Sequence, residues 1–330
     1  MGLEIRKITA DDAVTIGAVV AVLNAVDRLD SPWSHSTTAR DYAAMMRHGY
    51  DGEPPEVYAA FSEDTVVGAL EIWTGSWDNT HLAWVRFAVH PDVRRQGHGS
   101  ELFEFAVKQV RGMGRRSIGT DGWDNATTLG FTEKHGLPGR SVAIQRRQTL
   151  SRIDRGVLDS LYVEAAEAAS SYDLIRIAGR TPDDMLDAVA EMTVAINDAP
   201  TDDLDIEDEV FPVERIQNIE AAIAGRHHRM YRVIAKHRDT GELAGHTVVE
   251  VEEDRPQIGH QEDTSVVRAH RGHRLGILVK ADMLSWLAEA EPQLETIDTW
   301  NAESNDHMIE VNEKLGYEVL GRAYEFQTDI

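Results

Sequence analysis

The sequence predicts an α/β (α+β) chain of two tandem domains, each a mixed central sheet flanked by helices. Three observations carry that expectation. The first is a repeat: Gly68 in VVGALE answers to Gly245 in LAGHTV, 245 − 68 = 177 residues later, and Arg94 and Gly99 answer to Arg271 and Gly276 at the same offset. Asn125 and Asn305, like Gly136 and Gly316, lie 180 apart, so 180 − 177 = 3 residues are inserted between the two groups. A period this long belongs to a duplicated domain and not to a solenoid. The second observation is length, since 330 residues divide into two domains of roughly 150, each able to bury a core. The third is that period-two and helical patterns follow one another in the same order in both halves.

In the first half, LEIRKIT alternates like a strand, and an apolar-periodic stretch running to Val26 reads as a helix. VYAAFSED and TVVGALEIWT read as two strands around a polar turn, and WVRFAVHP as a third strand ended by Pro91. Apolar residues at 102, 103, 106, 107 and 110 make a helical stripe that stops at Gly112. A strand at 116–120, a helix at 125–135 and a closing strand at 141–149 complete the half, giving a domain over residues 1–150. Residues 151–171, with DSLYVEAAEAASS, read as a linking helix, and residues 172–330 repeat the order from YDLIRIAG to the final strand AYEFQT. The acidic run from Asp202 to Glu209 reads as a solvated loop of the second copy.

Composition narrows the function. Lys and Arg number 33 against 57 Asp and Glu, a formal charge of −24. That disfavours nucleic acid, which needs phosphate-neutralising cations, and an anionic membrane surface, and it favours a cationic substrate. There is no Cys, which excludes disulfides, thiolate metal sites and a Cys nucleophile. MGLEIRKITADD lacks an apolar signal region and no apolar run reaches membrane-spanning length, so a cytoplasmic protein is expected, a monomer or homodimer. No metal is expected, because His227, His228 and the scattered carboxylates fit no ligand spacing.

In each copy a strand runs into a basic, glycine-containing loop that opens a helix. In VHPDVRRQGHGSELF, Gly97 and Gly99 allow close approach of backbone to a ligand, and the helix start offers unpaired N–H groups. Together they make an anion site suited to a diphosphate, with Arg94 and Arg95 adding charge. The second copy reads Arg271, Gly272, His273, Arg274, Leu275, Gly276, so Arg274 stands where the first copy has Gly97. Its Cβ and long side chain are expected to impair close approach, leaving the first copy as the better binder; the alternative is that the side chain folds outward and pairs with phosphate.

Arg94, Gly97, Gly99, Asn125 and the run Glu133, Lys134, His135, Gly136 resemble the GNAT superfamily of acyl-CoA-dependent N-acetyltransferases. So do Arg271, Gly272, Gly276, Asn305 and the run Glu313, Lys314, Leu315, Gly316. The resemblance covers nearly all of both halves. It implies a splayed sheet with acetyl-CoA as cofactor, its pantetheine beside Phe87, Ala88 and Val89 in one copy and Ser265, Val266 and Val267 in the other. Its diphosphate would lie over the loops, which adds Gln96, His98 and Ser100 to the residues named above. A small-molecule amine would attack the thioester directly, with the protein positioning it, deprotonating the ammonium and stabilising an oxyanion.

Many members of the superfamily carry a Tyr seven residues after the Asn as acid for the leaving thiolate. Here 125 + 7 gives Thr132 and 305 + 7 gives Asn312. Neither replaces a phenol, although Asn312 can donate a hydrogen bond to sulfur. Candidate bases are His260, Glu262 and Asp263 in the second copy and His81 in the first. On a strand, His260 and Glu262 share one face and Asp263 takes the other. The expected function is acetyl-CoA-dependent N-acetylation of a small, cationic amine. The alternatives are a mycothiol-synthase-like acetyltransferase, a non-catalytic acyl-CoA-binding protein and, more weakly, a protein N-acetyltransferase.

Overall fold

The computed structural model describes residues 2–330. In chain order the elements begin with β1 (Glu4–Lys7), α1 (Ala13–Asp30), α2 (Ala39–His48), β2 (Glu56–Ser62), β3 (Thr65–Trp73) and β4 (Leu82–Val89). Then come α3 (His98–Gly112), β5 (Ser117–Trp123), α4 (Ala126–His135) and β6 (Gly139–Thr149). The second half has α5 (Arg155–Ala168), β7 (Tyr172–Ala178), α6 (Leu186–Thr193), α7 (Val213–Gly225), β8 (His228–His237) and β9 (Leu243–Glu252). It ends with β10 (Ile258–Val266), α8 (Leu275–Ala290), β11 (Thr296–Ala302), α9 (Asp306–Lys314) and β12 (Tyr317–Asp329). Helices α2 and α7 are additions to the sequence reading, and α7 follows the acidic run.

The chain forms two compact units that do not follow chain order. The first comprises Met1–Ala143, Thr201–Asp208 and Gly321–Ile330, and the second Ile144–Pro200 and Glu209–Leu320. The strands of the first unit run in the order β1-β2-β3-β4-β5-β12, and those of the second β6-β11-β10-β9-β8-β7. Each unit is therefore closed by a strand from the other half of the chain. In the first unit β12 pairs antiparallel with β5 over seven residues, from Ala323 opposite Trp123 to Asp329 opposite Ser117. In the second, Arg147 of β6 grips Asp298 of β11 at 2.5 and 2.7 Å. The boundaries expected at 150 and 172 thus miss the exchanged ends, because a strand's own pattern does not specify its partner. The expected linking helix, α5, packs Leu158 and Ala165 into the core of the second unit against α8.

Helices cover both faces of each sheet, as a mixed sheet buried on two sides requires. In the first unit α3 lays Leu102, Ala106 and Val110 against Leu70, Ile72 and Val85, while Ile16 and Val19 of α1 and Tyr42 of α2 cover Val57, Ala59 and Ala69 on the other face. In the second, α8 fills the first role and α6 and α7 the second. Each of the larger buried aliphatics stabilises its unit by about 1.5–3 kcal/mol.

The acidic run is not a free loop of the second copy. Residues 201–208 lie on the first unit, where the Ser141 hydroxyl donates to Asp202 Oδ2 at 2.8 Å, the Asp205 amide to Gln327 Oε1 at 2.7 Å and the Glu207 amide to Asn79 Oδ1 at 2.8 Å. Among the described residues, no helix is long and apolar enough to cross a membrane.

Candidate active site

In both units the central pair of parallel strands parts after three residues. β4 and β5 pair only from Leu82–Ser117 to Trp84–Gly119, and β10 and β11 only from Ile258–Thr296 to His260–Asp298. Beyond that point each sheet is splayed, and the loop after the splayed strand opens α3 or α8. The amides of residues 95–100 and 272–277 have no backbone acceptor among the described residues. Six successive free N–H groups at a helix start are an anion cradle in each unit.

The two cradles share one backbone. Arg95 and Gly97 have φ of 64° and 96°, and their repeat mates Gly272 and Arg274 have φ of 87° and 57°. Each loop thus places one Gly and one Arg in left-handed conformations, in opposite order, and the arginine costs about 1–2 kcal/mol in either copy. The expected obstruction by Arg274 is not what the structure shows. Its side chain turns out to Glu164 Oε2 at 2.9 Å, and the cradle behind it matches that of the first unit. Arg274→Gly is accordingly expected to change acetyl-CoA affinity by no more than about threefold, since an exposed ion pair contributes little. Isothermal calorimetry would check this, and a tenfold change would show that the side chain does reach the ligand.

Arg94 and Arg271 brace the loops. Arg94 Nε donates to Val89 O at 3.2 Å and its NH2 pairs with Asp30 at 2.6 Å; Arg271 Nε donates to Val266 O at 3.1 Å and its NH2 pairs with Asp198 at 2.5 Å. Asn125 and Asn305 cap helices, accepting from Thr127 and Thr128 at 2.9 Å and from Met308 at 3.2 Å. His98 is buried, Gln96 exposed, and Leu275 a core residue. The sequence reading gave Lys134 no role in the site, yet its Nζ donates to Ser100 Oγ at 2.8 Å and so brings a cation to the first cradle; Lys314 instead pairs with Glu310 at 2.6 Å.

The space beside the splay differs between the copies. In the first unit, Phe87 of β4 packs its ring 5.2 Å from that of Phe131 on α4, and Phe103 of α3 lies 5.9 Å from Phe131 and 5.2 Å from His135. A Cβ on Gly99 would meet the Phe131 ring at 3.3 Å. By the repeat, the second unit has Thr264, Lys280, Val311 and Leu315 at those four positions. Gly276 is buried, yet nothing lies within 4 Å of where its Cβ would be. Aromatic rings fill this gap in the first unit and leave it open in the second.

The bases differ more sharply. Ile72 pairs with Val85 in the first unit and Val249 with Gln261 in the second, so Arg86 and Glu262 follow equivalent residues. The β4 register is uniform, whereas the β9–β10 ladder shifts between Gln261 and Thr264, and Glu262 and Asp263 form a bulge at the splay. The Gln261 side chain props that bulge, donating to Glu262 O at 3.0 Å and Val248 O at 2.6 Å. Around it, His228 meets Glu250 at 2.8 Å, His260 meets Glu252 at 2.9 Å, and the two rings stack 5.8 Å apart. Burial opposes a charged His260, but the Glu252 bond and the charges of Glu252, Glu262 and Glu250 outweigh it and raise its pKa.

Glu262 is open to solvent on one side, while the protein around the rest of it and the charge of Glu250 push its carboxyl up to about 7. Asp263 is raised by burial against the pull of Arg232 and Arg215. Glu262 and His260 thus share neighbours and Asp263 has others. In the first unit Arg86 bonds Asp121 at 3.2 Å, and a guanidinium cannot serve as a base. His81 lies before β4, at the paired end, held by Asp205 at 3.4 Å and Glu207 at 3.9 Å and away from the splay. Among the described residues, no group of three or more acidic or His side chains is placed to hold a metal ion.

A splayed parallel pair leading into an amide cradle gives each unit a place for an extended, anionic ligand. Residues 22–137 match the Acetyltransferase (GNAT) family. The chain is also similar to a tandem GNAT protein from the clavulanic acid biosynthesis pathway, with 25% identity, a TM-score of 0.81 and coverage of 99% of this chain and 98% of that one. Two others share the fold: a GCN5-related N-acetyltransferase from Sphaerobacter thermophilus (15% identity, TM-score 0.73, 99% and 95% coverage) and a fungal GCN5-related glucosamine N-acetyltransferase region of a multi-domain GH3 β-N-acetylglucosaminidase (14%, 0.69, 98% and 38%). No curated protein matches the sequence significantly. Residues 22–137 thus carry a GNAT acetyltransferase domain, the chain as a whole shares the fold of a tandem GNAT protein, and acetyl-CoA is the cofactor of that fold.

Proposed function

We propose that the protein is an N-acetyltransferase acting on the amine of a small cationic molecule, and that the second unit carries the chemistry. The observation behind this reading is the bulge of β10, which sets Glu262 at the splay where the first unit has Arg86. The six free amides of residues 272–277 fit a diphosphate, and the open gap beside Gly276 fits a narrow acyl-bearing arm. The cofactor supplies an acetyl thioester. Glu262 takes the proton of the substrate ammonium, with a carboxyl near 7 suited to that task at neutral pH. The bulge turns the Glu262 and Asp263 backbone out of the β9 ladder, where N–H groups are available to charge developing on the carbonyl oxygen.

The carboxylates of Glu250, Glu262 and Asp263 and the net charge of −24 support a cationic acceptor. For a dicationic amine, kcat/KM is expected to fall several-fold between about 0.05 and 0.5 M salt as steering is screened. A neutral hydroxylated amine that reacts equally well at both would remove the charge preference.

The unit assignment is tested by Gly276→Glu and Gly97→Glu. Each places a carboxylate in one cradle, and Gly276→Glu is expected to abolish turnover and weaken acetyl-CoA binding at least tenfold. Gly97→Glu is expected to leave turnover within about threefold, because the rings of the first unit keep the acyl arm out. The reverse pattern would move the chemistry to the first unit.

A further inference from the structure

Lys280 has no partner that accounts for its place in the fold. It lies on α8, one turn beyond Gly276 and on the same face, and is only 2% exposed. No hydrogen bond or ion pair reaches its ammonium among the described residues, and its Nζ stands 4.9 Å from the centre of the Tyr317 ring. The nearby carboxylates are taken: Asp298 of β11 by Arg147, and Asp282 of its own helix by Arg176 at 2.8 Å. Burial alone pushes its pKa down to about 7. A buried ammonium without a counter-charge is costly, and an anion arriving beside it would remove that cost.

Position 280 is the mate of Phe103, whose ring packs between β4 and α4. By the repeat Lys280 therefore stands where Phe103 fills the gap in the first unit, one helical turn from the open space beside Gly276. Asn312, which stands where a phenol is expected, is fully buried and gives its amide to Asn301 Oδ1 at 2.7 Å. Its remaining polar atom, Oδ1, has no partner and cannot donate.

We propose that Lys280 is a catalytic residue of the second unit, giving a proton to the sulfur that departs in acetyl transfer. This rests on the reading that the second unit carries the chemistry. As the carbon–nitrogen bond forms and the carbon–sulfur bond breaks, the electron pair of the latter goes to sulfur and Lys280 Nζ supplies its proton. Lys280 regains that proton from water. Glu262 passes to solvent the two protons that the ammonium loses, so each turnover releases one proton net.

The test uses Lys280→Met and, should Met disturb packing, Lys280→Gln. Without ligand, the variants are expected to melt at least as high as the wild type at pH 6. The folded wild type is penalised fully below about pH 7 and less as pH rises towards the unfolded lysine value of about 10.4, so the gap should close on that path. Acetyl-CoA affinity by calorimetry should stay within about threefold, while kcat falls about 10²-fold and the alkaline limb of its pH profile is lost. Unchanged kcat and profile would overturn the proposal. So would a tenfold loss of acetyl-CoA affinity, which would make Lys280 a cofactor anchor, or a melting gap independent of pH. Full turnover in Glu262→Gln would instead sink the second-unit reading; an inactive Glu262→Gln beside a fully active Lys280→Met would sink the lysine's role alone.

Discussion

Glu262→Gln is expected to lower kcat by about 10²–10⁴-fold, the range for a general base held at a reacting proton. The amide keeps the shape and the bulge but accepts no proton. Because the protein packed around it and the charge of Glu250 push the carboxyl up to about 7, its basic form is depleted below that pH. Turnover by the wild type should therefore climb through pH 7, and the residual activity of the variant should lack this rise. Glu250→Gln gives a second check on the cause: removing the neighbouring charge lowers the Glu262 pKa and moves the acid limb down. A Glu262→Gln enzyme with wild-type kcat and the same acid limb would rule out the role.

Phe326→Ala is expected to destabilise the first unit by about 3–5 kcal/mol, as truncation of a buried aromatic does. Phe326 is 4% exposed and lies in the core formed by Leu70, Ile72, Leu102 and Ile118, although it is four residues from the end of the chain. Hydrogen exchange should show β4 and β5 losing protection while β8 and β9 keep theirs. Loss confined to β8 and β9 would contradict the exchange of closing strands.

The parts of this molecule legible in its sequence are those where the backbone itself sets the residue. Gly68 and Gly245 face a neighbouring strand so closely that a Cβ would meet Ala88 O at 2.7 Å and Ser265 O at 2.6 Å. Such positions mark the repeat because no side chain fits. The strand–loop–helix cradles were legible for the same reason, and His260, Glu262 and Asp263 stood out as candidates because titratable groups on a strand beside a splay are few. Arg274 misled because its identity suggested obstruction, whereas its conformation copies that of Gly97 and its side chain leaves the cradle. The roles of Arg94 and Arg271 were hidden in distant partners, Asp30 and Asp198. Lys280 lay unnoticed in LGILVKADML, where one cation within an apolar helix reads as a surface residue. The opposition of Arg86 to Glu262 emerges only from ladder register, which a sequence lists but does not align.

The crossing of closing strands also orders events during synthesis. When residue 143 has left the ribosome the first unit still lacks Gly321–Ile330, so β5 waits with an open edge while 320 − 143 = 177 further residues are made. At 5–20 residues per second that interval is on the order of ten to thirty seconds. An unpaired edge held that long invites pairing with another nascent chain. The acidic segment 201–208 cannot lock in place earlier, since Asp205 is held by Gln327 of that same last strand.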